Sequence, residues 1–107
     1  MAEFQVLWTH TARLDLERIV EFIAEEDPAT ALAALARVEQ RCQALSALPE
    51  RGRIVPELRA VDVLTYRELI EGPWRIVYRY DVDRVHVTAV LDARRELSSQ
   101  LLERLVR

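Results

Sequence analysis

Hydrophobic residues in this chain change their period once, and that change restricts the fold more than any composition figure. Up to residue 45 they recur at helical spacing; from residue 74 they recur at every second position. Leu16, Ile19, Val20 and Ile23 stand at i, i+3, i+4 and i+7, the stripe of an amphipathic helix. Thr9 or Thr11 can cap its start by accepting a bond from a free backbone N–H. Asp27-Pro28 then breaks the chain and restarts it, because Asp is a good N-cap and Pro suits the first helical position. Ala31, Leu35, Val38, Cys42 and Leu45 line one face of the second helix, whose alanines favour helix and let a neighbouring helix approach closely. An antiparallel helical hairpin is the expectation.

The rest reads as sheet. Phe4 to Trp8 is a short apolar run that predicts a first strand. Leu48-Pro49 ends the second helix. The segment 49–58, with two prolines and a glycine, predicts an ordered surface loop. Three strands follow near 63–69, 74–80 and 85–91, joined at Glu71-Gly72-Pro73 and Asp81-Val82-Asp83, both short enough for hairpins. They predict an antiparallel meander. Ser98 to Arg107 predicts a short terminal helix with Leu101, Leu102, Leu105 and Val106 as its apolar stripe. The expected architecture is one α+β domain over 1–107. A helical hairpin packs on one face of a small antiparallel sheet, made of the N-terminal strand and the meander.

The strand at 74–80 also carries the chemistry. Side chains alternate between the faces of a strand, so Arg75, Val77 and Arg79 share one face and Trp74, Ile76, Tyr78 and Tyr80 the other. One face can join the core while the other presents guanidinium groups, planar forks of donors suited to phosphate or carboxylate. Lys and Asn are absent, so all 15 basic residues are arginine. A GC-rich genome explains that bias, and each arginine therefore carries less functional information. Net charge is −3, without the basic excess usual for a nucleic-acid-binding domain. The arginines are unevenly spread: residues 1–48 balance to −4 and residues 49–107 to +1.

Other chemistries find little support. His10 and His86 are isolated, with no metal-ligand spacing around them, so no metal is expected. Cys42 falls on the buried face of the second helix and reads as core. Gly52 and Gly72 are the only glycines, too few for a phosphate-cradling loop, and no cofactor is expected. No run approaches the roughly 20 apolar residues that span a bilayer. The start, Met1-Ala2-Glu3-Phe4, lacks the pattern of a signal peptide, and a lone cysteine fits a reducing compartment; a cytoplasmic protein is the expectation.

Taken in order, these landmarks resemble the RelE/ParE superfamily of bacterial toxins from type II toxin-antitoxin pairs. They are Val6-Leu7-Trp8-Thr9, Ala12 with Leu16, Pro28 with Ala31, and the run Leu48-Pro49-Glu50-Arg51-Gly52-Arg53. After them come Val55-Pro56-Glu57-Leu58, Tyr66-Arg67-Glu68-Leu69, Arg75-Ile76-Val77-Tyr78 and Arg94-Arg95. The resemblance spans nearly the whole chain and implies a small antitoxin as partner. The flexible tail of such an antitoxin folds on the toxin, with operator DNA contacted only through the antitoxin.

The superfamily divides into two activities. RelE-like members cleave mRNA at the ribosome, and by resemblance Arg67, Arg75 and Arg95 fall on basic positions of that site. Glu57, Glu68 or Asp92 are candidates for acid–base work there. Leu69, Asp92 and Leu101 depart from the RelE pattern at a second basic position, a histidine and a tyrosine. ParE-like members bind DNA gyrase, trap its cleaved-DNA complex and need no catalytic residue. The long hairpin, the missing tyrosine and the acidity lean toward the ParE type; a degenerate, non-toxic antitoxin-binding module is the further alternative. Arg53, Arg79 and Arg94, with Leu101, Leu102 and Leu105, are the expected anion- or partner-binding residues. Arg53 either braces its loop or faces the anion site. Arg67 beside Glu68 is either functional or an ordinary cross-strand ion pair.

Overall fold

The computed structural model describes residues 3–93. A five-stranded sheet runs in the order β1-β5-β4-β3-β2, from β1 (Gln5–Trp8), β2 (Arg53–Ile54), β3 (Arg67–Glu71), β4 (Trp74–Tyr80) and β5 (Arg84–Asp92). Strands β2 to β5 pair antiparallel, with tight turns joining β3 to β4 and β4 to β5 and α3 lying between β2 and β3. Between β1 and β5 lies most of the chain, no such turn applies, and they pair in parallel. The sheet is therefore mixed at one edge rather than antiparallel throughout. No helix of the described residues is long and apolar enough to cross a membrane.

The hairpin is α1 (His10–Ala24) and α2 (Pro28–Gln43), followed by a 3₁₀ turn over Ala44–Ser46. Thr9, not Thr11, caps α1, its hydroxyl accepting the Ala12 N–H at 3.1 Å. Asp27 caps α2 by accepting the N–H groups of Ala29 and Thr30, and the Thr30 hydroxyl donates to its other oxygen at 2.7 Å. Hydrogen bonds from the Thr30 side chain first, then its backbone, hold the Asp27 carboxyl below the ordinary value of 3.8. Ala12 and Leu16 of α1, Val38 and Cys42 of α2, and Leu45 form the main core with Leu69, Ile76, Tyr78, Val85, Val87 and Val90 of the sheet. Leu35, Ile19 and Val20 pack around that core, half-buried.

Two expectations need correction. Segment 49–58 is not simply a surface loop: it supplies β2, which pairs with β3, and the short helix α3 (Pro56–Arg59). With α3 in place the second face of the sheet is closed as well. Val55 and Leu58 join Val77 and Ala89 in a smaller core, with Val63, Tyr66 and Leu91 packed against it. The strand expected at 63–69 starts instead at Arg67, because the chain leaving α3 is held in a helix-ending turn. There the Val63 N–H bonds the Leu58 carbonyl at 2.9 Å and the Asp62 N–H bonds Arg59 at 3.0 Å. Asp62 takes the left-handed position of that turn, at φ 67°. The terminal helix expected over 98–107 lies outside the described residues.

One irregularity fixes which residues share a face. Val77 stands opposite Ala89 but Tyr78 opposite Val87, so Thr88 is an extra residue in β5, a β-bulge. Its hydroxyl donates to the Val77 carbonyl at 3.1 Å, and just beyond it the Val90 N–H donates to Asp15 of α1 at 3.0 Å. The bulge reverses the parity of β5, putting Val85, Val87 and Val90 on the helix side and Ala89 and Leu91 on the other. Along β4 the alternation stands unbroken: Trp74, Ile76, Tyr78 and Tyr80 face the helices, Arg75 and Val77 the α3 side.

Candidate functional site

The face that β4 presents to α3 holds a four-residue ion-pair network. Arg75 is buried at the middle of it. Its Nε and Nη2 lie 2.6 Å from Oε1 of Glu68, and its Nη1 and Nη2 meet the two oxygens of Glu57 at 2.7 and 2.8 Å. Glu68 has no exposed side-chain surface, and its second oxygen accepts from Nε and Nη2 of Arg53, each at 2.7 Å. Glu68 comes from β3, in register with Val77, so it points to the face that Arg75 occupies. Glu57 comes from the first turn of α3, and Arg53 from β2, in register with Glu68. Two segments, β3 and α3, thus converge on the Arg75 guanidinium, and β2 joins the network through Glu68.

A buried charge is costly unless it is paired and hydrogen-bonded. Here the two cations meet two anions. The hydrogen bonds that Arg75 donates to Glu57 raise its pKa above the ordinary arginine value, outweighing desolvation, and Glu68 adds to the effect. Arg75 is therefore a permanent cation whose donor fork is already occupied by protein carboxylates. Of the guanidiniums expected on that strand face, Arg79 is 39% exposed; Arg53, beside the network on β2, is 61% exposed. At Arg75, only 7% exposed, the face is closed by α3.

The remaining site candidates do not gather there. Arg67 stands in register with Tyr78, on the opposite face of the sheet from Arg75. Its Nη1 donates to the Gly52 carbonyl at 2.8 Å, and its guanidinium lies 6.0 Å over the Tyr80 ring. It makes no ion pair with Glu68. Asp92 stands in register with Trp74, also on the helix side. Arg79 sits further along β4, 4.0 Å from Asp81, whose carboxylate also meets His86 at 3.6 Å. Arg94, Arg95, Leu101, Leu102 and Leu105 lie outside the described residues. So Arg53, Glu57, Glu68 and Arg75 are brought together, while Arg67, Asp92 and Arg79 are not.

A second constellation was not foreseen from sequence. The Tyr78 hydroxyl donates to the Pro49 carbonyl at 2.7 Å and accepts the Gly52 N–H at 2.8 Å. Burial pushes the Tyr78 phenol above its ordinary value, against the Gly52 N–H, which lowers it. With Arg67 holding the Gly52 carbonyl, both polar groups of that glycine are fixed, and the loop 48–53 is clamped to the sheet edge. The sequence signal was present: the one glycine among Leu48-Pro49-Glu50-Arg51-Gly52-Arg53, followed by a tyrosine on the core parity of a strand. On the helix side, Glu71 of β3 takes Arg41 at 3.2 Å and Arg37 at 3.8 Å. Among the described residues no group of His, Cys, Asp and Glu side chains is arranged to hold a metal ion.

A helical hairpin thus lies on one side of the sheet and α3 on the other. A sequence model described as the ParE toxin of type II toxin-antitoxin system, parDE, matches residues 6–97. Toxin ParE3 of Caulobacter vibrioides is 32% identical over 98 residues, covering 91% of this chain and 94% of the relative. Toxin RelE2 of the same organism is 32% identical over 92 residues, covering 85% and 97%. The chain belongs to the ParE toxin family, within the RelE/ParE superfamily. Two solved structures share the fold. One is a chromosomal ParDE toxin-antitoxin system from P. aeruginosa (TM-score 0.70, 20% identity, covering 84% of this chain and 96% of that one). The other is the RelBE2 toxin-antitoxin complex from Mycobacterium tuberculosis (TM-score 0.62, 24% identity, 85% and 99%).

Proposed function

We propose that this toxin acts on DNA gyrase in the cytoplasm, trapping the enzyme on cleaved DNA, and that an antitoxin encoded beside it holds it inactive. The observation that carries the gyrase reading is the state of Arg75. Cleaving RNA through its 2′-hydroxyl requires cations converging on one phosphate, with a base and an acid in reach. Arg75 instead has its fork filled by Glu57 and Glu68, and Arg67 points to the other side of the sheet. A protein that stabilises another enzyme's cleaved complex needs a shaped surface and no catalytic group of its own. On this reading the chain is not an enzyme, and the arginine network is scaffolding for that surface. Membership of the ParE family supports the same choice. Antitoxin neutralisation is supported by the relatives, of which the RelBE2 structure is a toxin-antitoxin complex. Contact with operator DNA would belong to the antitoxin.

The test is a cleavage assay with purified chain, gyrase, supercoiled plasmid and ATP. Linear DNA covalently linked to gyrase is the expected product. If protein that arrests growth yields none, but cuts mRNA on purified ribosomes, the RelE-type reading replaces this one. That outcome would make Arg67 and Arg95 the first residues to substitute. The RelE reading has one finding of its own, the identity to Toxin RelE2, equal to that with Toxin ParE3.

A further inference from the structure

Surface loops are ordinarily the mobile part of a small domain, but the loop 48–53 is fixed at several points. The Pro49 carbonyl and the Gly52 N–H both meet the buried Tyr78 hydroxyl, Arg67 holds the Gly52 carbonyl, and the Arg51 N–H closes a turn onto the Leu48 carbonyl at 3.1 Å. Two arginines leave this fixed backbone on either side of Gly52, within about 7 Å of each other along the chain. Arg53 gives its Nε and Nη2 to Glu68, yet its side chain is 61% exposed, so the outer edge of the guanidinium meets solvent. Arg51 is exposed, and its side chain makes no ion pair or hydrogen bond among the described residues. Beside them β2 is the edge of the sheet. The Val55 N–H bonds the Tyr66 carbonyl at 3.0 Å, so by the alternation of the ladder the Ile54 N–H turns to the open edge. Arg67 and Arg75 bring the arginines of loop and network to four, against Glu50, Glu57 and Glu68, a local positive excess in a chain of net charge −3.

We propose that Arg51, the outer edge of Arg53 and the Ile54 N–H grip a backbone phosphate of the DNA held in gyrase, so that the toxin binds the DNA as well as the enzyme. This rests on the gyrase reading above and deepens it. Phosphate oxygens accept equally from the planar fork of an arginine and from a backbone N–H. Because the loop is fixed before contact, little ordering is required of it on binding. The donors meet phosphate rather than base edges, so the contact is independent of DNA sequence. A net negative chain is repelled by free duplex. Gyrase, by holding both, raises their effective concentration and confines the contact to the ternary complex.

Biolayer interferometry of the purified chain on gyrase alone, and on gyrase loaded with a linear duplex, tests the proposal over a series of salt concentrations. The wild-type chain should bind the loaded enzyme more tightly than the bare one, by about tenfold. Arg51→Glu should remove most of that gain and lower the salt slope on loaded gyrase by about 1. Arg51→Lys keeps the charge and should keep the gain. Since the Arg51 side chain holds nothing in the fold, both variants should keep the wild-type Tm. Arg51→Cys gives a direct reading of contact, because Cys42 is buried and stays unlabelled. Carrying a photoactivatable azidophenyl label, it should cross-link to the DNA of the loaded enzyme. Cross-linking to gyrase polypeptide alone would overturn the proposal and leave the gyrase reading standing. So would Arg51→Glu binding to loaded gyrase within about twofold of wild type. If the wild-type chain binds neither form of gyrase, the gyrase reading falls and takes this proposal with it.

Discussion

Glu68 is where the two-faced fold is most exposed to a single change. Its carboxylate has no contact with solvent and answers two guanidiniums: Arg75 through one oxygen, Arg53 through the other. Replacing it by glutamine keeps the volume and removes the charge. The amide can offer one oxygen to one arginine, while its NH₂ meets the donors of the other. Breaking a buried pair by removing one partner costs about 3–5 kcal/mol, because the remaining charge is left uncompensated. Here Glu57 still holds Arg75 at 2.7 and 2.8 Å, and Arg53 can turn its exposed guanidinium to water. The lower end, about 3 kcal/mol, is therefore the expectation for Glu68→Gln. In a chain this size that corresponds to a Tm lower by roughly 10–20 °C. Glu57→Gln is the built-in comparison: its side chain is 32% exposed and Glu68 remains, so about 1 kcal/mol is expected. The double variant Glu68→Leu/Arg75→Met should recover most of the loss, since apolar residues of similar volume can replace a buried pair. Urea denaturation with two independent probes reads all three. A Glu68→Gln loss below about 1 kcal/mol, or equal to that of Glu57→Gln, would refute the reasoning that Glu68 neutralises the centre of the network.

Other positions give equally direct outcomes. At Gly52 an added Cβ would sit 2.5 Å from the Glu68 carbonyl and 2.7 Å from the Tyr78 hydroxyl, so Gly52→Ala should lose about 2–3 kcal/mol in the same urea assay. Asp62→Gly should raise the Tm slightly, by about 0.5 kcal/mol of stability, because glycine relieves the positive φ while adding entropy to the unfolded chain. Burial pushes the Cys42 thiol up to about 12, so a thiol reagent at pH 8 should label it only in denaturant; rapid labelling of native protein would contradict its place in the core.

The helical hairpin was legible because every local signal agreed: two apolar stripes, a threonine cap, and Asp27-Pro28 setting the start of the second helix. Parity along β4 was legible for the same reason, since a strand has only two faces and the bulge falls on its neighbour. The bulge itself left a mark, the step from Val85 and Val87 to Val90, but a one-residue slip in a valine-rich run reads as continuous strand. The closing of the second face was hidden. Its parts, Val55, Glu57 and Leu58, lie in a segment whose prolines signal a loop, and a four-residue helix is too short to show a period. The end of that helix carries Asp62 where a glycine would have announced a left-handed turn. The partners of Arg75 come from 18 and 7 residues away along the chain. Alternation says which way a side chain points, but not what the rest of the chain lays over it.

The charge distribution changes meaning once the pairs are known. From composition, the arginines concentrate in 49–107, at +1, and the acids in 1–48, at −4. In the fold, Arg53 and Arg75 are held to Glu68 and Glu57 at contact distance, where their fields largely cancel beyond a few ångströms. On the hairpin, Glu17, Glu21 and Glu39 meet no cation within 4 Å among the described residues. At physiological salt, screening confines the influence of such exposed charges to about 8 Å. Reversing those charges should leave intact the ion-pair network that holds the sheet and α3 together.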